Sequence, residues 1–167
     1  MRLRLLSGIR LEIEPIPEST WGTSLANLLP GPIWDDLRRE VYTAFGHACA
    51  VCGATDRQLQ CHERWSFDDK KKVQKLVGFQ CLCSDCHRVK HWGRTVAEAH
   101  RNGDVEAIPR LAEHFCRVNS CSTDAFSLHK VEVGDIAQKR SRHRYTVDFG
   151  AFRPDLVEVV WLRRKKK

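Results

Sequence analysis

The chain has 167 residues, enough for one domain with attachments and a modest hydrophobic core. Its formal net charge is +7, and it carries eight cysteines. No run of about 18 apolar residues occurs, so no membrane-spanning helix is expected, and Met1-Arg2-Leu3-Arg4-Leu5-Leu6 is too short and too charged for a secretory signal, so a reducing compartment is favoured.

In residues 1–14, Leu3, Leu5, Ile9, Leu11 and Ile13 alternate in part with polar residues, which predicts one or two short strands. Pro15, Pro17, Pro30 and Pro32 make 15–32 an irregular arm, with Trp21 expected to pin it to the body. Ile33, Trp34, Leu37, Val41, Tyr42 and Phe45 fall at helical spacing, and Gly46 stops that helix before Cys49. Strands are predicted at 57–65 and 76–82, joined by the polar stretch Asp68-Asp69-Lys70-Lys71-Lys72. Ser84 can cap a helix to about Trp92, with Gly93 as its stop, and Thr95-Val96-Ala97-Glu98 has the form of a capping box for a short helix to about Arg101. A further helix runs from Asp104 to about Val118, and another spans 122–139 despite Gly134. Tyr145, Val147 and Phe149 alternate with polar residues as in a closing strand.

Two Cys-x-x-Cys pairs carry the strongest signal. Cys49/Cys52 and Cys83/Cys86 each place two sulfurs on one tight turn, and four thiolates at this spacing can surround one tetrahedral zinc. The competing reading is a redox pair or buried thiols. Cys81 is the competitor that could replace Cys83 within the site, but it lies two residues before Cys83 on a predicted strand and is expected to point the same way as Cys83, not into the knuckle turn. Cys116 and Cys121 have no histidine partners and read as core or surface thiols.

Between and beside the pairs stand Cys61-His62-Glu63 and Cys86-His87-Arg88-Val89-Lys90-His91. An imidazole can take a proton from water near pH 7, which suits His62 to general-base work. His87 and His91 are four apart, so a helix puts them on one face, where they can grip one ion.

With these motifs the chain resembles the HNH (His-Me finger) endonucleases. The resemblance rests on the knuckle cysteines, on Cys61-His62-Glu63-Arg64-Trp65, and on Cys83-Ser84-Asp85-Cys86-His87 with His91. Softer similarity to a stand-alone bacterial or phage subfamily extends to Ile16-Pro17 with Trp21, to Trp34, Arg38 and Tyr42, and to Arg117-Val118-Asn119 and Arg140-Ser141-Arg142. The resemblance implies an α+β fold built on a ββα-metal unit. His62 would be the base, and His87 and His91 the ligands of one divalent ion, Mg, Mn, Ni or Zn. Two positions depart from the family pattern. Cys61 stands where many members carry an Asp or His metal ligand before the base, and Gly78 stands near the position of the central Asn. Cys61 as a thiolate ligand would favour a softer ion. Glu63 is the other candidate ligand, though a solvent-facing carboxylate is its expected fate.

The division implied is an N-terminal arm and helix (1–45), a zinc-knuckle core (46–93), and C-terminal helices, closing strand and basic tail (94–167). Basic runs at Lys70–Lys72, Lys139–Arg144 and Arg163–Lys167 attract phosphate backbones, although each alone is equally a solvated face. Arg64, Lys90, Arg163, Arg164 and Lys165 are the expected nucleic-acid contacts, DNA the expected partner, and the cytoplasm of a bacterial cell the expected location. Trp65 and Trp92 either fill the core of the small unit or abut a base. The rival expectation is a zinc-stabilised nucleic-acid-binding module with no working catalytic metal.

Overall fold

Two long antiparallel strands organise the molecule. They are β1 (Leu59–Asp68) and β2 (Val73–Cys83), paired through Cys61↔Cys81, His62↔Gln80 and Arg64↔Gly78. The structure is a computed structural model, and it describes residues 8–152. The strands run further than their apolar residues predict because the hairpin closes its own turn. Asp68 Oδ1 accepts the Lys70 and Lys71 backbone N–H groups at 3.1 and 2.9 Å, so the polar connection is a tight turn. Pairing slips between Arg64 and Trp65, opposite Gly78 at φ 147°. No atom would crowd a side chain there, so the positive φ of the bulge selects glycine.

β3 (Thr146–Asp148) adds to β2 in parallel, with Val73 opposite Thr146. Six α-helices complete the described α+β fold: α1 (Leu25–Leu28), α2 (Gly31–Ala44), α3 (Ser84–Lys90), α4 (Trp92–Asn102), α5 (Ala107–Asn119) and α6 (Thr123–Ser141). Ser122 caps α6 by accepting the Ala125 N–H, as its position predicts. Gly93 does not stop a helix. The chain bends at His91 (φ −97°, ψ 40°), and α4 begins one residue later. Thr95 lies inside α4, where its hydroxyl donates to the Arg88 carbonyl at 2.8 Å instead of capping.

The described part of the N-terminal segment is not a strand. Leu11 and Ile13 are buried as their alternation predicts, but side chains satisfy the backbone that a sheet would have paired. Asn119 Oδ1 accepts the Arg10 and Leu11 N–H groups at 2.9 and 3.0 Å, and Asn119 Nδ2 donates to the Leu11 carbonyl at 2.8 Å. The Ile13 N–H donates to His129 Nε2 at 3.1 Å, and the Glu14 N–H to the Lys90 carbonyl at 2.9 Å. Leu3 and Leu5, like Arg163, Arg164 and Lys165, lie outside the described residues. Trp21 does not pin the arm, since it is 67% exposed.

Two hydrophobic clusters flank the hairpin. One joins Leu11 and Ile13 of the arm to Cys49, Val51, Leu82, Cys83, Cys86, Val89, Leu111, Phe115, Phe126 and Val133. The other packs Leu25, Leu29 and Ile33 on Leu76, with Trp65, Phe79, Phe149 and Phe152 at its edge. α3 thus leaves the end of β2 with one side already in a core, which fixes where His87 and the following His91 stand.

Candidate metal centres

Cys49 and Cys52 sit on a turn closed by the Gly53 N–H donating to the Cys49 carbonyl and the Cys49 N–H to the Ala54 carbonyl, each at 2.9 Å. The Ala50 N–H donates to the Cys81 carbonyl at 2.8 Å and docks this turn on β2. Cys83 ends β2, and Cys86 lies in the first turn of α3. The four sulfurs lie within 4.8 Å of one another and could hold a metal ion. The Cys52 and Cys83 sulfurs are 3.6 Å apart, close to the edge of about 3.8 Å that a tetrahedron with bonds of about 2.3 Å would have. Cys81 does not take the place of Cys83 in this group. Charge also fits a cation: thiols of Cys83 and Cys86 hydrogen-bond to Cys49 and hold its pKa low, while the same hydrogen bonds push Cys83 up to about 11 and push Cys86 up as well. A dication lets all four ionise together.

Around the cysteines lies a polar shell not evident in the sequence. Cys86 Sγ and His114 Nε2 are 3.1 Å apart, and His114 Nδ1 faces Arg117 Nη2 at 3.0 Å. A guanidinium only donates, so Nδ1 accepts, and the ring proton on Nε2 points at the sulfur. Asp85, buried beside Cys86, is bound by Arg57 and by Arg110, the latter at 2.9 Å.

The second cluster is histidine. His62 projects from β1, His87 from α3, and His91 from the bend that follows. One ring nitrogen from each lies within 4.8 Å of the others. Ring centroids are 5.2 Å apart for His62–His87, 4.9 Å for His62–His91 and 4.7 Å for His87–His91. Burial, with repulsion from the neighbouring imidazoles, depresses His87 to about 3 and His91 to about 4. Both rings therefore present lone pairs at neutral pH, as a metal requires. His62 is 3% exposed, and its Nε2 lies 2.9 Å from Glu14 Oε1.

Other expected site residues are placed differently. Cys61 is not in the histidine cluster. Side chains alternate along β1, so Cys61 and Glu63 face away from His62. Burial raises the Cys61 thiol to about 12, with the Glu63 carboxylate adding to the shift. Glu63 is buried, not solvent-facing, and accepts the Leu25 N–H at 2.6 Å at the start of α1. Lys90 is 5% exposed and its Nζ donates to Glu14 Oε1 at 3.2 Å, which rules it out as a surface contact to nucleic acid. Arg64 is exposed and, two positions from His62, shares its face. Trp65 packs edge-on to Phe149, and Trp92 edge-on to Phe126, so both serve cores.

Tertiary folding brings two basic runs together. Arg140 donates to Asp69 at 2.8 Å and lies 3.8 Å over the Phe67 ring, while the Tyr145 hydroxyl donates to the same Asp69 oxygen at 2.8 Å. Arg140 is thereby engaged in holding α6 to the hairpin turn. Lys70, Lys71, Lys139, Arg142 and Arg144 stay exposed around that junction.

These features define a mixed α+β protein with a four-cysteine cluster able to hold a metal ion and a separate histidine cluster. No family model, curated protein or solved structure matches the chain.

Proposed function

We propose that the chain is a metal-dependent DNA endonuclease with a ββα-metal core, in which β1, β2 and α3 present the reacting centre and Cys49, Cys52, Cys83 and Cys86 hold a structural zinc. The observation that carries this reading is the convergence of His62, His87 and His91 from a hairpin strand and the helix that follows it. Zinc suits the four-sulfur set because tetrahedral thiolate sites are its usual structural environment. It would tie the Cys49–Cys52 turn to the β2–α3 junction and so fix the backbone that carries His87.

The imidazole set suits Zn, Ni or Mn better than Mg, which prefers oxygen donors. When bound, such an ion supplies Lewis acidity toward a phosphate oxygen and toward water. We assign His62 to the donor set, together with His87 and His91. Its near-complete burial and its engaged Nε2 favour this over the general-base role expected from the sequence. The half-buried rings of His87 and His91 form the side from which a phosphate can approach. Arg64 lies on the same strand face to receive a backbone charge. Lys70, Lys71, Lys139, Arg142 and Arg144 supply sequence-independent attraction.

Supercoiled plasmid incubated with the protein and Mg²⁺, Mn²⁺, Ni²⁺ or Zn²⁺ tests the proposal. Nicked or linear product that appears with at least one ion and disappears with chelator is the expected result. Salt-sensitive DNA binding with no cleavage under any ion would instead mark a zinc-stabilised binding module.

A further inference from the structure

Glu63, the carboxylate that the sequence motifs offer the histidine cluster, is turned away to Leu25, yet another carboxylate stands there. Glu14 comes from the N-terminal arm, 48 positions before His62, and its side chain is 11% exposed. The Glu14 N–H donates to the Lys90 carbonyl at 2.9 Å, so the arm is fastened to α3 at this residue. Glu14 Oε1 receives His62 Nε2 at 2.9 Å and Lys90 Nζ at 3.2 Å. Its Oε2 is buried without a hydrogen-bond partner.

We infer that Glu14 is the positioning carboxylate of the histidine centre, fixing the tautomer and orientation of His62 for a divalent cation. The inference rests on the metal-site reading above and deepens it. An ionised carboxylate accepts and cannot donate, so the Nε2 proton belongs to the Glu14 hydrogen bond. In the neutral ring the lone pair then falls on Nδ1. Carboxylate–histidine pairs of this kind hold metal-ligating imidazoles in one orientation and raise their basicity. Glu14 is not among the groups that lie within 4.8 Å of one another, so it acts through His62 and not as a fourth donor. Its negative charge nonetheless acts on all three imidazoles and on the Lys90 ammonium. Placed there, it offsets the cost of bringing a dication beside a buried lysine.

Gly78 pairs with Arg64 and not with His62. Where the family pattern has an Asn near this position, this chain has a bulge glycine with no side chain to give. Glu14 supplies an orienting acceptor for His62 from a different part of the sequence.

Isothermal titration with Ni²⁺, an ion imidazoles favour, tests the inference on full-length protein whose zinc content is measured before and after. Glu14→Gln removes the charge and keeps the shape, and should weaken Ni²⁺ binding by about 10–100-fold. Lys90→Met removes a competing cation and should tighten Ni²⁺ binding. Opposite effects from the two partners of one ion pair are not expected of a merely structural contact. Should Glu14→Gln fail to fold, the double variant Glu14→Gln/Lys90→Met leaves no unpaired buried charge and should still bind Ni²⁺ weakly. Wild-type affinity in Glu14→Gln, or the affinity of Lys90→Met alone in the double variant, overturns the inference, as does a ¹⁵N spectrum of wild type with the His62 proton on Nδ1. Plasmid cleavage separates the two levels: a protein that binds Ni²⁺ through Glu14 and His62 but never cuts DNA sinks the nuclease reading alone.

Discussion

Hydrogen on a single ring nitrogen links the cysteine cluster to its surroundings. Arg117 fixes His114 with its proton toward Cys86 Sγ. That hydrogen bond drains charge from the sulfur and holds it in place, as outer groups around metal ligands do. His114→Ala should therefore lower zinc retention by about 10–100-fold in competition with a chelator, while His114→Gln keeps a donor and should lose less. Equal retention in wild type and both variants would make His114 a packing residue only. The spacing of the cysteines and of His87/His91 is legible in the sequence because turns and helices impose it locally. Glu14 and His114 are not, because their roles depend on partners 48 and 28 residues away. Lys90 illustrates the same limit: a lysine beside a histidine motif reads as a phosphate contact until the arm supplies the carboxylate that buries it.

The arm is the element on which sequence and structure part. Its alternation correctly separates buried Leu11 and Ile13 from exposed Arg10 and Glu12, since any extended chain alternates. What alternation cannot reveal is the partner, and here side chains of α5 and α6 take the place of a neighbouring strand. One of these clamps is pH-dependent. Burial lowers His129 below its ordinary 6.5, with Glu12 and Glu132 opposing the shift. Unfolded His129 takes up a proton near pH 6.5, and folded His129 only at lower pH. The clamp's stability is thus fully present above about pH 6.5 and is lost as pH falls through the folded value. His129→Leu removes the acceptor of the Ile13 N–H and should cost about 1 kcal/mol at about pH 8. Its stability should also fall less steeply than wild type between about pH 6.5 and 5. Urea midpoints across that range measure both, and a slope identical to wild type would remove His129 as a source of pH dependence. The β1–β2–α3 unit depends on a different tie. On the proposed zinc reading, Cys86→Ser should abolish metal retention by the four-cysteine cluster and lose the α3 packing around Val89 and Phe115, seen as loss of cooperative melting. A zinc-free variant with the wild-type melt would contradict the tie.

At the scale of the whole molecule, the Asp69–Arg140–Tyr145 junction decides where charge collects. Basic residues far apart in the sequence meet at one corner, where Arg140 and Tyr145 both bind Asp69. Replacing Lys70, Lys71, Arg142 and Arg144 with alanine should weaken DNA binding and flatten its salt dependence, by about 0.9 in the log–log slope for each phosphate no longer neutralised. Fluorescence anisotropy at several salt concentrations reads this, and an unchanged slope would move the nucleic-acid surface elsewhere. Composition and cysteine spacing made legible a basic α+β protein with a four-cysteine cluster able to hold a metal ion. They could not say that the arm and the last helices share a core with the knuckle, because that core is assembled from residues as distant as Leu11 and Val133.

The central claim is that the histidine cluster cuts DNA, and the cleavage rate of His91→Ala beside wild type tests it most directly. Both proteins are assayed on the same plasmid with the activating ion in excess, after their zinc content and DNA affinity have been matched. A rate at least about 100-fold lower is expected for His91→Ala, since the lost group belongs to the reacting centre and not to phosphate docking. Cleavage by His91→Ala at the wild-type rate would contradict the claim.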